Sequence, residues 1–255
     1  MNPGEYEVMA RVEREHWWYR GLRDALARSL ERSPLWPPDE PKVLDAGCGT
    51  GENLRFLGEL LSPAYLAGFD RAPEALDLAR PKAPNGDLYE SDICDPTIHV
   101  EDLDLIISMD VICIPGAERA LPGLRRLVAH LRPGGLFALN LPAYRWLLSR
   151  HDLAVHTTQR FTASEVGALL ESLGLSPLLL SYRVCALFPA AVLVRLPTIL
   201  RRQAASSTLR SDLHRMPGPW LNSTLTKILE AENRAISRGV RLPWGSSVFA
   251  IGSRI

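Results

Sequence analysis

The chain has 255 residues, 46% of them hydrophobic, which suits one large globular domain or a domain with a substantial insertion. Its 29 basic residues balance 29 acidic ones. No basic field is present to hold a polyanion, so the composition argues against a general nucleic-acid-binding protein.

The cysteines and the apolar segments bear on where in the cell the protein is located. The four cysteines are widely spaced and include no Cys-x-x-Cys pair, which argues against a zinc site or a disulfide framework. The first twenty residues are charged and lack the apolar centre of a signal peptide. Segment 184–200 is interrupted by Pro189, Arg195 and Pro197, so it is a poor membrane span. We expect a soluble cytoplasmic protein with no membrane span.

The first 140 residues predict an N-terminal helix followed by alternating strands and helices. Residues 5–32 favour one helix, because Leu22, Leu26 and Leu30 recur every four positions. Four prolines between 33 and 41 then break the chain. The predicted strands are 42–47, 65–70, 86–92, 103–110 and 136–142, the predicted helices are 53–61, 72–80 and 117–131, and a turn is predicted at 132–135. This alternation predicts a parallel sheet covered on both faces.

Four aspartates lie at or just past the ends of predicted strands: Asp45, Asp70, Asp92 and Asp110. Ligands of such sheets bind outside the carboxyl ends of the strands, near the point where strand order reverses. The four acids therefore predict a ligand-binding rim. The alternative is that each aspartate caps the helix that follows it.

The second half predicts a helix, two more strands and an insertion between these strands. Residues 162–174 carry a cap, an amphipathic run and a terminal glycine, and strands are predicted at 175–183 and 246–255. About 60 residues separate those strands, too many for a hairpin loop. A helical stripe in this insertion is formed by Leu221, Leu225, Ile228, Leu229 and Ile236. We interpret the stripe as a surface that packs against the rest of the protein and not as a ligand-binding site. The insertion is either a lid over a substrate cleft or a homodimer interface.

We therefore divide the chain into four segments. They are an N-terminal helical cap at 1–38, a core at 39–183, a helical insertion at 184–245 and a last core strand at 246–255.

The stretch KVLDAGCGTGENL, residues 42–54, carries glycines with the spacing G-x-G-x-G. The dinucleotide fingerprint places its third glycine one residue later, and a P-loop would end in Gly-Lys-Ser/Thr. Glu52 also disfavours a pyrophosphate, since like charges would meet at the helix terminus. Both phosphate-binding interpretations fail, and a nicotinamide oxidoreductase is disfavoured with them.

A ligand with a positive centre fits this stretch better. Asp45 precedes the glycines, whose bare backbone permits close approach. Asp70 follows Gly51 by 19 residues and can accept both hydroxyls of a ribose. An adenine can lie against Ile93 and donate its amino group to Asp92. These residues predict an adenosine without phosphates that carries a cationic, amino-acid-like arm.

The ordered motifs LDAGCGTG, GFD, SDI, LDLIISMDVI and LRPGG, between residues 42 and about 140, resemble those of class I S-adenosylmethionine-dependent methyltransferases. The resemblance implies an α/β, Rossmann-like sheet of seven mostly parallel strands with an antiparallel last strand, and S-adenosylmethionine as cofactor. It implies that Asp45, Gly47 and Gly49 line the methionine part. The remaining implied cofactor-binding residues are Asp70 at the ribose with its neighbour Arg71, Asp92 and Ile93 at the adenine, and Met109 and Asp110 beside the sulfonium.

Two further stretches, EHWWYRGLR and LPAYRWLLSRHD, resemble a bacterial small-molecule branch of this family. In that branch the N-terminal helix closes over the cofactor. The resemblance makes Tyr19 and Arg20 candidates to meet the cofactor's carboxylate, since the planar guanidinium matches that group. The alternative is that the aromatic residues simply anchor the helix on the sheet.

The sequence is less informative about the residues that would bind the methyl acceptor. Many relatives carry Glu-His where this chain has Cys113 and Ile114, so we expect no metal and no metal-assisted mechanism. Candidate catalytic residues are Tyr144, His151 and His156, because a histidine near neutral pKa suits a general base. Asp152 could orient an imidazole. The alternative role of each histidine is to lie at the surface or to pin a loop.

These patterns predict methyl transfer from S-adenosylmethionine to an oxygen, nitrogen or carbon of a small biosynthetic molecule. Two alternatives remain open at this point. One is another reaction of the same cofactor on this fold, such as a cyclisation. The other is a non-catalytic cofactor-binding subunit that supports a partner.

Overall fold

The computed structural model describes residues 3–36, 38–114, 116, 119–148, 152, 156–193 and 216–255. The strands are β1 Lys42–Ala46, β2 Tyr65–Asp70, β3 Asp87–Glu90, β4 Leu103–Met109, β5 Leu131–Pro142, β6 Leu175–Arg183 and β7 Ser247–Arg254. The α-helices are α1 Pro3–Val12, α2 Trp17–Glu31, α3 Glu52–Leu61, α4 Pro73–Ala79, α5 Leu121–Ala129, α6 Ala163–Ser172 and α7 Pro219–Ile236.

The strands form a single sheet in the order β3-β2-β1-β4-β5-β7-β6. Strands β1 to β5 are parallel, whereas β7 runs antiparallel to both β5 and β6. The predicted fold is confirmed, including its antiparallel last strand. The chain reverses its direction across the sheet between β1 and β4, which is where α/β sheets bind ligands.

Helices cover both faces of the sheet, and the alternation of side chains along β4 shows how. Ile106 shares a buried cluster with Leu124 of α5 and Leu170 of α6. Its neighbour Leu105 points to the opposite face and shares a second cluster with Leu26 of α2. Because β4 is buried on both faces, its sequence is a near-continuous apolar run.

The single N-terminal helix expected over 5–32 is two helices joined by a turn. The guanidinium of Arg23 donates 2.9 Å hydrogen bonds to the carbonyls of Glu13 and Arg14, which are left open where α1 ends. His16 then caps α2, and its Nδ1 accepts from the backbone N–H of Trp18. Leucine periodicity identified the helical character but could not show this break.

Two further boundaries differ from the expectation. The stretch 132–135, expected as a turn, lies inside β5, where the pairing with β4 shifts register and Gly134 has a φ of +77°. The helix expected over 117–131 begins at Leu121, because Pro122 occupies its first turn. A β-bulge therefore replaces the turn, and the strand starts earlier.

The insertion ends in α7, which packs along α2. Gly21 permits close contact there, since a Cβ at that position would lie 2.4 Å from Leu229 Cδ1. Asn222 accepts from the N–H of Trp17 at 2.9 Å and donates to the carbonyl of Glu15 at 2.8 Å. The buried face of α7 therefore differs from the apolar stripe expected there, and it consists of Asn222, Thr226, Leu229, Asn233 and Ile236.

Among the residues that the structure describes, no helix combines the length and the apolar character needed to cross a membrane.

Candidate functional site

A cavity of about 580 Å³ lies at the carboxyl ends of β1, β2 and β4. The N-terminal helices cover it with aromatic and apolar side chains, and the start of the insertion adds Val184, Leu187, Ala190 and Ala191. Its core-side lining includes Gly47, Gly49, Phe69, Asp70, Arg71 and Ile93. A second group of lining residues comprises Met109, Asp110, Cys113, Thr157, Arg160 and Ser247. The first group follows β1, β2 and β3, whereas the second follows β4 and lies towards β5 and β7. We call these two parts of the cavity its first and second ends.

The glycine loop has a shape that only glycine permits at two positions. Gly47 has a φ of +89°, and a Cβ there would lie 2.4 Å from Val111 Cγ2. Gly51 has a φ of +84°, and its Cβ would lie 2.7 Å from Ala79 of α4. Gly47 and Gly49 line the cavity, whereas Gly51 permits close packing of the helices. The loop thus presents bare backbone to a ligand.

Asp45 does not itself line the cavity, and its carboxylate is buried. Neither carboxylate oxygen has a hydrogen-bond partner among the described residues. Burial raises the pKa of Asp45 well above its usual range, and the charges of Asp70 and Glu13 add to this effect. A buried carboxyl without a partner at a glycine loop is suited to a cationic ligand.

Asp70 lines the cavity and fixes the loop at the same time. Its Oδ2 accepts from the N–H of Gly49 at 2.9 Å, and its Oδ1 accepts from the N–H of Ala72 at 3.0 Å. Burial raises the pKa of Asp70, although these backbone donors counteract part of the effect. Each carboxylate oxygen keeps a lone pair for a ligand hydroxyl. Asp70 does not cap the helix that follows, since the N-cap of α4 is Ala72 and no side chain caps it.

Some of the residues that follow β3 line the cavity, and others lie at the protein surface. Ile93 and Ser91 line the cavity. Asp92, expected at the adenine, is exposed, does not line the cavity, and accepts from the N–H of Cys94 at 2.8 Å. Asp92 therefore stabilises a local turn, which differs from the helix cap considered as the alternative for the strand-end aspartates.

Of the two residues expected at the cofactor's carboxylate, Tyr19 and Arg20, only Tyr19 lines the cavity. Tyr19 lines the cavity, and burial raises the pKa of its hydroxyl strongly. Arg20 is exposed, lies 4.0 Å from Glu15, and does not line the cavity. Trp18 lines the cavity and also packs against the core cluster of the sheet, so the site and anchor interpretations of the aromatic run both apply. Arg23 is the buried arginine of α2, and its Nη1 has no partner among the described residues.

Asp110 directly follows β4, next to Met109, among the second group of lining residues. It adopts a φ of +58°, unusual for a residue other than glycine, and its backbone N–H donates to the carbonyl of Asn140 at 2.8 Å. The side-chain amide of Asn140 lies 3.0 Å from each carboxylate oxygen of Asp110. Burial raises the pKa of Asp110 to about 7, against the opposing effects of Asn140, Arg183 and Arg160.

Behind Asp110, the sequence analysis missed a buried polar network. Arg183 Nη1 donates to Asn140 Oδ1 at 3.0 Å, and the Nε and Nη2 atoms of Arg183 have no partner among the described residues. Burial lowers the pKa of Arg183 to about 10. Asn140 stands out as a polar side chain in the otherwise apolar strand LFALNLP, and Arg183 is the charged residue at the end of LSPLLLSYR. That contrast was a usable signal.

A second missed pair, Asp152 and Arg160, lines the cavity. Arg160 donates to Asp152 Oδ1 through Nη2 at 2.6 Å and through Nε at 3.2 Å, and its Nη1 donates to the carbonyl of Ala143 at 2.7 Å. Both side chains are almost fully buried. Asp152 therefore forms a buried ion pair with Arg160, which its expected role beside an imidazole did not predict.

Neither of the two candidate catalytic residues that the structure describes, Tyr144 and His156, lines the cavity. Tyr144 does not line the cavity, and its ring stacks on Tyr182 with 5.1 Å between centroids. His156 does not line the cavity either, and burial lowers its pKa. His151 lies outside the described residues. Tyr144 follows the end of β5, where its N–H bonds to the carbonyl of Phe161.

Residues 43–135 match the family model described as a methyltransferase domain. Trans-aconitate 2-methyltransferase of Deinococcus radiodurans is 32% identical over 154 residues, which are 58% of this chain and 53% of the relative. The same-named protein of Variovorax paradoxus is 32% identical over 152 residues, 58% of this chain and 54% of that relative. The chain thus spans about half the length of the curated relatives it matches.

A solved structure supports the fold across nearly the whole chain. It is a putative methyltransferase in complex with the Haloferax volcanii Trm112 methyltransferase activator, with a TM-score of 0.59, 18% identity, and coverage of 98% of this chain and 93% of that chain. At such an identity the likeness shows the fold alone, and the fold agrees with the sheet described above.

Proposed function

We propose that this chain is a class I S-adenosylmethionine-dependent methyltransferase that transfers the cofactor's methyl group to a small organic acceptor, because residues 43–135 match a methyltransferase domain. The observation that carries this proposal is the two-ended cavity. One end presents the glycine loop and Asp70, and the other presents Asp110 and Arg160. A transferase needs space for the cofactor and a separate space for the acceptor.

The residues at the first end suit S-adenosylmethionine. Gly47 and Gly49 would lie along the methionine part, Asp70 would accept from the ribose hydroxyls, and Ile93 would lie against the adenine. Asp45 lies beside the glycine loop without lining the cavity, and a positive charge on the ligand would favour the ionised form of its buried carboxyl, which has no partner among the described residues. When bound, the cofactor supplies a methyl group that is already activated on a sulfonium.

The chain's own residues must therefore align the acceptor and exclude water. The aromatic side chains of α2 and the apolar start of the insertion cover the cavity. We propose that the cap at 1–38 and the insertion at 184–245 act together as this cover, and that 39–183 with 246–255 form the core. An enclosed apolar space favours a small molecule over a nucleic acid or a protein side chain.

The charges of the second end bear on the acceptor. Of the lysines and arginines that the structure describes, Arg71 and Arg160 line the cavity, and Arg160 is already paired with Asp152. The named acceptor of the Deinococcus radiodurans relative is an acid, and this cavity offers such a polyanion little free positive charge. We infer an acceptor of low negative charge. None of the four cysteines forms a disulfide, which supports a cytoplasmic site of action.

Calorimetry tests the cofactor assignment. We expect the protein to bind S-adenosylmethionine and S-adenosylhomocysteine but not NAD, and binding of NAD alone would contradict the assignment. The acceptor is sought by mass spectrometry, with methyl-labelled cofactor, the purified protein and a small-molecule extract of the source organism. Trans-aconitate serves as a defined acidic probe, and we expect it to remain unmethylated. Label in a product establishes methyl transfer and excludes a cyclisation or a silent cofactor-binding subunit.

A further inference from the structure

Asp110 occupies the boundary between the two ends of the cavity. It follows β4, which pairs with β1, and the adjacent Val111 packs against Gly47 of the glycine loop. Asp70 lies on one side of this boundary and Arg160 on the other. This carboxyl lines the same cavity that would hold a cofactor along the glycine loop and an acceptor in the second end.

The orientation of this carboxyl is fixed by residues behind it. Arg183 has no acceptor atoms, so it can bond only to the side-chain oxygen of Asn140. The amide of Asn140 must then direct its N–H₂ group at Asp110, 3.0 Å from both oxygens. Arg183 and Asn140 thus hold Asp110 as an acceptor of hydrogen bonds, which favours its ionised form.

The charged and titratable groups around Asp110 come from several elements. Arg183 at the end of β6 and Arg160 in the loop before α6 favour the carboxylate. Tyr19 of α2 and Cys113 are the neutral titratable groups that face it, and the thiol of Cys113 donates to the backbone carbonyl of Asp110 at 3.1 Å. Burial is the largest effect on Asp110 and opposes ionisation. The protein without ligand therefore holds this carboxyl near its point of titration.

We propose that Asp110 is the counter-ion of the cofactor's sulfonium and also the group that receives the acceptor's proton, a role that rests on the proposed function. A cation placed against the carboxyl favours its ionised form. Asp110 is thereby deprotonated when the cofactor is in place, and it is ready to act as a base before the acceptor reacts.

The step balances in atoms and in charge. A lone pair of the acceptor's oxygen or nitrogen forms the new bond to the methyl carbon, and the electron pair of the carbon–sulfur bond returns to sulfur. The acceptor's O–H or N–H proton moves to a carboxylate oxygen of Asp110. The positive charge on sulfur and the negative charge on Asp110 disappear together, so no net charge is left in the buried site. This role requires an acceptor with an O–H or N–H proton to lose.

A binding experiment tests the counter-ion role without any acceptor. S-adenosylmethionine and S-adenosylhomocysteine differ by one methyl group and one positive charge. We expect the affinity ratio of the two ligands to shift towards S-adenosylmethionine by about tenfold between pH 5.5 and pH 8.5, which corresponds to a lowering of the Asp110 pKa by about one unit. Calorimetry in two buffers of different ionisation enthalpy should show proton release with S-adenosylmethionine only.

The variants make this result specific. Asp110→Asn keeps the shape of the side chain but removes its titratable group. The affinity ratio of S-adenosylmethionine to S-adenosylhomocysteine should therefore not change with pH in this variant. Asp77→Asn on the exposed face of α4 makes the same change of charge and should behave as the wild type. Asn140→Ala should move the midpoint to higher pH, since the carboxylate loses its donor. A flat ratio in the wild type, or a retained shift in Asp110→Asn, overturns the counter-ion role while leaving the proposed function intact. Failure of both ligands to bind overturns both.

The proton-accepting role is tested with the acceptor identified by mass spectrometry. Asp110→Asn should lower kcat by at least about a hundredfold, the usual range for a lost general base, with KM changed by less than about threefold. The wild type should show a rise of kcat/KM with pH that this variant lacks. Turnover by Asp110→Asn within about threefold of the wild type would assign the proton to another group.

Discussion

The two ends of the cavity are built differently. The first end, where we place the cofactor, consists largely of main chain, namely a glycine loop held by Asp70 through the N–H of Gly49. The second end consists of side chains from separate elements, such as Asp110 and Arg160, and Asn140 and Arg183 support Asp110 from behind. Main-chain sites tolerate little change in backbone shape, whereas side-chain sites can be retuned by single substitutions. The fold can therefore retain one ligand at the first end while the second end varies.

The sharpest test of the main-chain end is Gly47→Ala. The alanine would be strained at a φ of +89° and would also collide with Val111. Gly174→Ala is a matched control, because Gly174 has a φ of +74° with nothing near its Cβ position. The shared backbone strain is about 1–2 kcal/mol. We expect at least about a hundredfold weaker binding of S-adenosylhomocysteine for Gly47→Ala alone, measured by calorimetry, which is about 2.7 kcal/mol. Equal affinities for the two variants would contradict the close contact with Val111.

The next effect concerns the side chain that supports the glycine loop. Asp70→Ala removes the carboxylate that bonds Gly49 and is placed to accept ribose hydroxyls. Charge-assisted hydrogen bonds contribute roughly 1.5–3 kcal/mol each before water compensates, so we expect at least about a tenfold loss of cofactor affinity. Asp92→Ala is the companion variant, and we expect less than about a threefold change because this side chain lies outside the cavity. Similar losses in both would place the adenine against Asp92 after all.

A smaller effect tests whether the insertion supports the cover of the cavity. Asn222→Ala removes both hydrogen bonds that join α7 to the start of α2 and leaves the N–H of Trp17 without that acceptor. We expect a loss of about 1–2 kcal/mol in the free energy of unfolding, measured in urea, and a few-fold weaker cofactor binding. The adjacent exposed Ser223→Ala is the control. Unchanged stability would show that α2 holds its position without the insertion.

The smallest effect is a pH dependence of stability at the side-chain end. The folded protein raises the pKa of Asp110 to about 7 from 3.8, so between these values the folded state binds more protons than the unfolded state. Stability must therefore fall as pH rises from about 4 to 7. Because the carboxyl lines the cavity, we expect only about 1 kcal/mol, absent in Asp110→Asn and visible in urea titrations at several pH values. An equal pH slope in both proteins would contradict a raised pKa.

The sequence predicted the main-chain end far better than the side-chain end. The glycine loop and Asp70 are local features of consecutive strands, so their spacing reports their positions directly. The sequence indicates Asp110 by its position after the fourth strand, whereas Asn140 of β5 and Arg183 of β6 meet it only because the sheet places those strands near one another. Tyr144 was suggested by its position just beyond the fifth strand, but its ring stacks on Tyr182 of β6. The spacing of residues along the chain does not report contacts that depend on tertiary packing.

The position of β7 has a consequence for how the molecule folds. Strand β6 pairs with β7 and not with β5, so it has no sheet partner until residues 247–254 have been made. Until that moment the sheet ends at β5, with an apolar and unpaired edge. During synthesis on the ribosome, the sheet is thus completed only when β7 pairs with both β5 and β6. Loss of that strand would expose two edges at once, and we expect aggregation of the nascent chain as the result.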